Sequence, residues 1–221
     1  MSKKNKQVMH SLLILYSSYS ILKFTPIKIS HMSQKSPNSP KHAIRPLYEE
    51  HGAQAYYQQF GADYHNPHEA IITQCLHDAL GRWQLDTTQV LDLACGSGEV
   101  TLALRTSGVQ AITGIDPFTG EAYQQRTGQE ALAISFEDIA SGAISTHRYS
   151  LIVCSFALHL AELSRLPLVC YQLSVIAPQL LILTPHKRPQ IDSTWGWQLV
   201  NESKIERVRT RLYHSLNSDQ P

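Results

Sequence analysis

The stretch Val90-Leu91-Asp92-Leu93-Ala94-Cys95-Gly96-Ser97-Gly98-Glu99-Val100-Thr101 constrains the fold more than any other part of the chain. Its apolar run suits a parallel strand buried on both faces. The Gly-Ser-Gly turn that follows lets backbone approach a ligand where a Cβ would stand in the way. Glu99 to Thr106 reads as a short helix whose first N–H groups and positive dipole end face the same turn. A second apolar run begins at Gln110 and ends in Asp116, twenty residues after Gly96. In nucleotide-binding α/β folds an acid at the end of the second strand takes the ribose hydroxyls. Thr101 stands where a Gly-x-Gly-x-x-Gly fingerprint needs its third glycine, which counts against a pyrophosphate ligand and so against a nicotinamide dehydrogenase.

The rest of the chain alternates helix and strand patterns. Leu47 to Phe60 reads as one helix. Ala70 to Leu80 reads as a second, with Ile71, Ile72, Cys75, Leu76 and Ala79 at helical spacing and Asn66-Pro67 as its start. Leu132–Phe136 reads as the third strand and Tyr149–Cys154 as the fourth, followed by a helix over Ser164–Val175 and a fifth strand at Gln179–Thr184. Trp197–Glu202 and Glu206–Tyr213 read as a closing strand pair, the second alternating Arg207, Arg209 and Arg211 against Val208, Thr210 and Leu212 as a half-exposed strand does. Ligands gather outside the carboxyl ends of such strands, so Ser155–Leu160 and the basic loop Pro185–Pro189 are expected to border the site. In that loop His186 suits a general base and Lys187 or Arg188 an anionic group; the alternative is a solvated loop.

Val90 to Glu99 resembles the first motif of class I S-adenosylmethionine-dependent methyltransferases, and Gly114-Ile115-Asp116-Pro117-Phe118 resembles their second. The likeness runs from about Tyr56 to Tyr213. It implies an α/β three-layer Rossmann-like sandwich over residues 47–217, with a seven-stranded, mostly parallel sheet, an antiparallel C-terminal strand pair and an N-terminal helical lid. It also implies S-adenosyl-L-methionine as cofactor, held by Asp92, Ala94, Gly96, Gly98, Asp116, Pro117, Phe118 and Ser155, with Glu137 or Asp138 meeting the adenine. Tyr57 and Tyr64 would cover the cofactor, or else pack the first helices on the sheet. The helix that the family places between strands five and six shrinks here to residues 185–196, either remodelled around the substrate or simply shortened. Trp195, in that segment, joins Tyr64, His159, His186 and Arg188 as acceptor-site candidates.

Methyl transfer from a sulfonium needs nucleophile, methyl and sulfur in line, and a base only when the nucleophile carries a proton. His65, His159 and His186 are the candidates for that base. The loop after the fourth strand lacks Asp/Asn-Pro-Pro-Tyr/Phe, the signature there of enzymes that methylate base or glutamine amino nitrogens. The expected acceptor is therefore a small molecule, with a protein acceptor, or a catalytically silent methyltransferase-like subunit, as the alternatives.

Nineteen basic against eighteen acidic residues leave a net charge of +1, so no field favours nucleic acid. Eleven histidines are scattered without paired ligand spacing, and no metal is expected. Four dispersed cysteines with no Cys-x-x-Cys fit reduced thiols in the cytoplasm. Residues 1–46 read as a leader and linker, whose apolar part is too short and too polar for a membrane span of about 20 residues. Met32 opens a Pro/Ser/Lys-rich stretch and is an alternative translation start; peptides from residues 7–28 in the native protein would exclude it.

Overall fold

The computed structural model describes residues 61–218, so the expected leader, the helix over 47–60 and Tyr57 lie outside the described residues. β1 (Val90–Leu93) is buried along its whole length, with β2 (Ile112–Ile115) parallel on one side and β3 (Leu151–Ser155) parallel on the other. β4 (Gln179–Thr184) pairs parallel to β3. The hairpin of β5 (Trp197–Ile205) and β6 (Val208–Ser215) closes the sheet antiparallel, giving the order β2-β1-β3-β4-β6-β5.

The α-helices among the described residues are α1 (Glu69–Arg82), α2 (Glu99–Thr106), α3 (Gly120–Thr127), α4 (Phe136–Ala140) and α5 (Leu166–Ile176). Alternation along each strand sorts the core into two layers. Leu91, Leu93, Ile152, Cys154, Leu180 and Ile182 pack toward α4 and α5. Val90, Leu151, Val153, Leu181 and Leu183 pack toward α1 and α2, where Ile72, Cys75, Leu76 and Ala79 supply the expected helical stripe. Asp92 shares a face with Val90, so the pleat carries its carboxylate into the α2 layer beside Thr101. No helix among the described residues is long and apolar enough to cross a membrane.

Three local expectations are corrected. The third strand does not form: Leu132 alone bridges Ile115, and the sheet has six strands among the described residues rather than seven. The cause is local. Ser135 and Asp138 close a capping box that turns the chain into α4 at Phe136, before a strand can extend. The first described helix starts at Glu69 rather than at Asn66-Pro67, because the Asn66 side chain accepts a hydrogen bond from the His68 N–H (2.9 Å) and holds a turn there. On β6 the arginines are not an evenly solvated stripe. Arg211 is buried, donating to Glu202 Oε2 (2.6 Å) across the hairpin, while Arg209 donates to Glu202 Oε1 (2.8 Å).

Gly98 starts α2 with φ +89°, and a Cβ there would lie 2.5 Å from Thr127 Cγ2 on α3. Both the left-handed backbone and the close approach require glycine. Gly98→Ala is expected to lower the unfolding free energy by about 2 kcal/mol or more, read by chemical denaturation.

Candidate active site

The carboxyl ends of β1, β2 and β3 open into a cavity of about 510 Å³, within the range of about 300–1,000 Å³ usual for small-molecule sites. Its floor is the turn Leu93–Gly96, where Ala94 has φ +56° and Gly96 φ +55°. A Cβ on Gly96 would stand 3.1 Å from Tyr64 Cε1 and 3.5 Å from Glu99 Oε2, so bare backbone there keeps the cavity open. Asp116 leaves the end of β2 and accepts from the N–H groups of Gly96 (3.3 Å), Phe118 (2.9 Å) and Thr119 (3.1 Å). Pro117 and Phe118 line one side, Ile134, Phe136 and Glu137 the other, and Ser155 and Phe156 the end of β3. Phe156 has φ +55°, so left-handed non-glycine residues follow both β1 and β3. Such strain concentrates at functional sites.

Two buried polar groups hold this floor. Thr101 donates to Asp92 Oδ2 from its N–H (3.1 Å) and its hydroxyl (2.7 Å), leaving Thr101 Oγ1 to accept from the Tyr123 hydroxyl (2.9 Å). Burial pushes the Asp92 carboxyl up to about 7, opposed by the Thr101 hydrogen bonds and reinforced by Glu99 and Asp116. Glu99, 3% exposed, accepts at Oε1 from the Ser97 hydroxyl, the Asn66 N–H (3.3 Å) and Arg126 Nη1 (2.7 Å). Arg126 Nη2 also reaches Glu69 Oε1 (2.6 Å), so one guanidinium ties α3, α1 and the glycine turn together. His65, Glu69 and Glu99 bring ligand atoms within 4.8 Å of one another, but Arg126 already bridges both carboxylates. In the cavity wall, burial and the neighbouring carboxylates push the Cys95 thiol up, away from the thiolate form.

A second cavity, of about 500 Å³, lies between the turn Leu158–Leu160 and the loop 188–195. His159, Arg188, Pro189 and Trp195 line it, with Leu158, Leu163 and Leu166 as apolar wall. His186 meets His159 with ring centroids 4.5 Å apart at 51°. Burial of the ring, with the charge of His186, pushes His159 down to about 4, although part of the side chain still reaches solvent. Ala157 and Leu160 face the first cavity and Leu158, His159 and Ala161 the second, so one short segment walls both.

No protein-family profile matches the chain. The Schizosaccharomyces pombe protein C17A5.05c is 32% identical to it, the match covering 81% of this chain and 94% of that protein. This chain belongs to that protein's family. Among solved structures, the magnesium protoporphyrin IX methyltransferase ChlM of Synechocystis PCC 6803, crystallised with bound SAM, superposes with a TM-score of 0.52 at 13% identity, over 82% of this chain and all (100%) of ChlM. A TehB-like SAM-dependent methyltransferase of Corynebacterium glutamicum gives 0.51 at 15% identity, over 77% of this chain and 99% of its own. The fold is the Rossmann-like one of class I S-adenosylmethionine-dependent methyltransferases.

Within this methyltransferase fold, Ala94, Gly96, Asp116, Pro117, Phe118, Glu137, Ser155 and Tyr64 meet in the first cavity, and His159, Arg188 and Trp195 in the second. Asp92 and Gly98 line neither. Asp92 braces the turn from below, and Gly98 packs on α3. Of the two acids offered for adenine, Glu137 faces the cavity, whereas Asp138 is exposed and spent on the N–H and hydroxyl of Ser135 (2.9 and 2.7 Å). His65 stands by the Glu69–Glu99 cluster, away from His159 and His186. Sequence reasoning missed Glu99 and Arg126 as site-building residues; the acid placed directly after Gly-Ser-Gly was a signal for the first, while nothing local marks the second.

An unfolded aspartate titrates near 3.9. The folded chain therefore holds an extra proton on Asp92 between about pH 4 and 7, and this group's contribution to stability falls as pH rises through that window and is level above it. In Asp92→Asn this contribution is absent: its unfolding free energy relative to the parent should rise from pH 4 to 7 and then stay constant, measured by urea denaturation across pH. Arg126→Ala leaves Glu99 buried without its counter-charge and should cost about 3 kcal/mol of stability in the same assay.

Proposed function

We propose that the protein is an S-adenosylmethionine-dependent methyltransferase acting on a small-molecule acceptor. The observation that carries this reading is the charge of the first cavity. Among the described residues its wall holds three carboxylates, Asp116, Glu137 and Glu99 (the last paired at Oε1 with Arg126 behind the wall), and no lysine or arginine. That set repels a pyrophosphate and suits a ligand with positive charge. Gly96 leaves the cradle that a Cβ would fill, so the residues present fit the cofactor. Asp116 would take the ribose hydroxyls, Glu137 an adenine amine, and Phe118, Ile134 and Phe136 the flat base. Glu99 Oε2, beside Gly96, would take an ammonium.

When bound, S-adenosylmethionine supplies a methyl group on a cationic sulfur. The chain's own work is then positioning. The Asp92–Thr101 and Glu99–Arg126 pairs fix the floor, and the 157–161 segment borders both the cofactor cavity and the acceptor cavity. His159, neutral at pH 7, would accept a proton from an acceptor that carries one, with His186 beside it. The four cysteines are free thiols in buried positions, which fits a cytoplasmic setting.

Calorimetry should show S-adenosylmethionine and S-adenosylhomocysteine binding, with no heat from NADH. Gly96→Arg, which fills the cradle, should weaken both sulfur ligands at least tenfold while the protein stays folded by circular dichroism. NADH binding, or a folded Gly96→Arg protein with parental affinity, would refute the assignment.

A further inference from the structure

The second cavity carries a charge that nothing among the described residues uses. Arg188 lines it, is exposed, and among the described residues makes no hydrogen bond and no ion pair. The acids within the two segments that line the cavity are already engaged. Asp192 caps the turn Ser193–Trp195 by accepting from the Thr194 N–H (2.8 Å) and hydroxyl. Glu162 takes the Ser164 hydroxyl (2.5 Å) and faces Arg165 (3.6 Å). The same cavity is lined by flat and apolar surfaces: Trp195, Pro189, His159, and Leu163, which is 80% exposed. The other indole of this region, Trp197, is fully buried with its N–H given to the Cys170 carbonyl (2.8 Å), so Trp195 is the one that meets solvent through the cavity.

We infer that this second cavity takes the methyl acceptor, and that the acceptor is a flat, largely apolar small molecule bearing one carboxylate, gripped by Arg188 while its ring lies against Trp195 and Leu163. The inference rests on the methyltransferase reading above: the two cavities meet at the 157–161 segment, past whose edge the acceptor's nucleophile would reach the methyl group in line with the sulfur. A guanidinium presents a planar fork that matches a carboxylate with two parallel hydrogen bonds, and it is less strongly hydrated than an ammonium. A single uncommitted cation beside an apolar wall matches one negative charge on an otherwise apolar body. A nucleic acid or a phosphate-rich ligand would call for several.

The test uses the full chain loaded with S-adenosylhomocysteine, and 1-naphthoate and 1-naphthalenemethanol as probes of the same shape with and without the carboxylate. By calorimetry or saturation-transfer NMR, naphthoate should bind at least tenfold more tightly than the alcohol. Arg188→Gln should bring naphthoate down to the level of the alcohol, leave the alcohol unchanged, and leave S-adenosylhomocysteine affinity as in the parent. Trp195→Leu should weaken both probes together. Equal binding of the two probes, or full naphthoate affinity in Arg188→Gln, would overturn the carboxylate assignment. Failure of both probes to bind a protein that still binds S-adenosylhomocysteine would overturn the acceptor cavity alone. Failure of the folded protein to bind S-adenosylhomocysteine would overturn the reading on which the inference stands.

Discussion

Thr101 gives both its backbone N–H and its hydroxyl to the buried carboxylate of Asp92, and the geometry of the whole cofactor cavity follows from that attachment. Asp92 is the one polar side chain of β1, and it points into an otherwise apolar layer. Left alone it would be costly to bury. Joined to the first turn of α2, it fixes how the helix leaves the strand, and the residues between them are forced into a tight loop with positive φ at Ala94, Gly96 and Gly98. The Tyr123 hydroxyl extends the chain of hydrogen bonds to α3. Thr101, which displaces the third glycine of the dinucleotide fingerprint, is thus the residue that makes this turn rigid.

A second bond system acts from the solvent side. Arg126 joins Glu99 to Glu69 and the Ser97 carbonyl, so α1, α3 and the glycine turn share one guanidinium. Asn66 adds its N–H to the same carboxylate, which brings the segment carrying Tyr64 against Gly96. The floor of the cavity is therefore clamped from beneath by Asp92 and from its rim by Arg126. Around the second cavity the structure is looser: the loop 185–190 is mostly exposed, tied by the His186 N–H to Thr184 Oγ1 (3.1 Å), by the His186 ring against His159, and by the Lys187 carbonyl, which accepts from Arg211 (3.4 Å). On the proposed reading, a firmly held first cavity beside a more open second one suits an enzyme whose cofactor chemistry is constant and whose acceptor is selected by a loop.

Most strands were legible because burial on both faces demands unbroken apolar runs, as in Leu151–Cys154 and Leu180–Leu183. Leu132–Phe136 was misread because its apolar run is the same signal, while the capping box of Ser135 and Asp138 decided the outcome locally. That box also removed Asp138 from the cavity and left Glu137 there, a choice that the adjacent acids in the sequence leave open. Alternation on β6 was read correctly for Val208, Thr210 and Leu212, but Arg211 became buried because Glu202 lies opposite it across the hairpin.

The sequence by itself determined the strands β1 to β4, the closing strand pair, the glycine turn and the acid at the end of β2, since each is a local demand of backbone geometry or burial. Tertiary structure alone decided which polar side chains serve the cavity. Asp92 and Glu99 lie only seven positions apart, yet one is turned beneath the floor and the other into the wall. Arg126 joins Glu69 across 57 residues, and Arg188 meets His159 and Trp195 in one cavity only because β4 lies beside β3. Such meetings depend on packing between distant elements, where the partner of a charge is set by the fold and not by its neighbours in the chain.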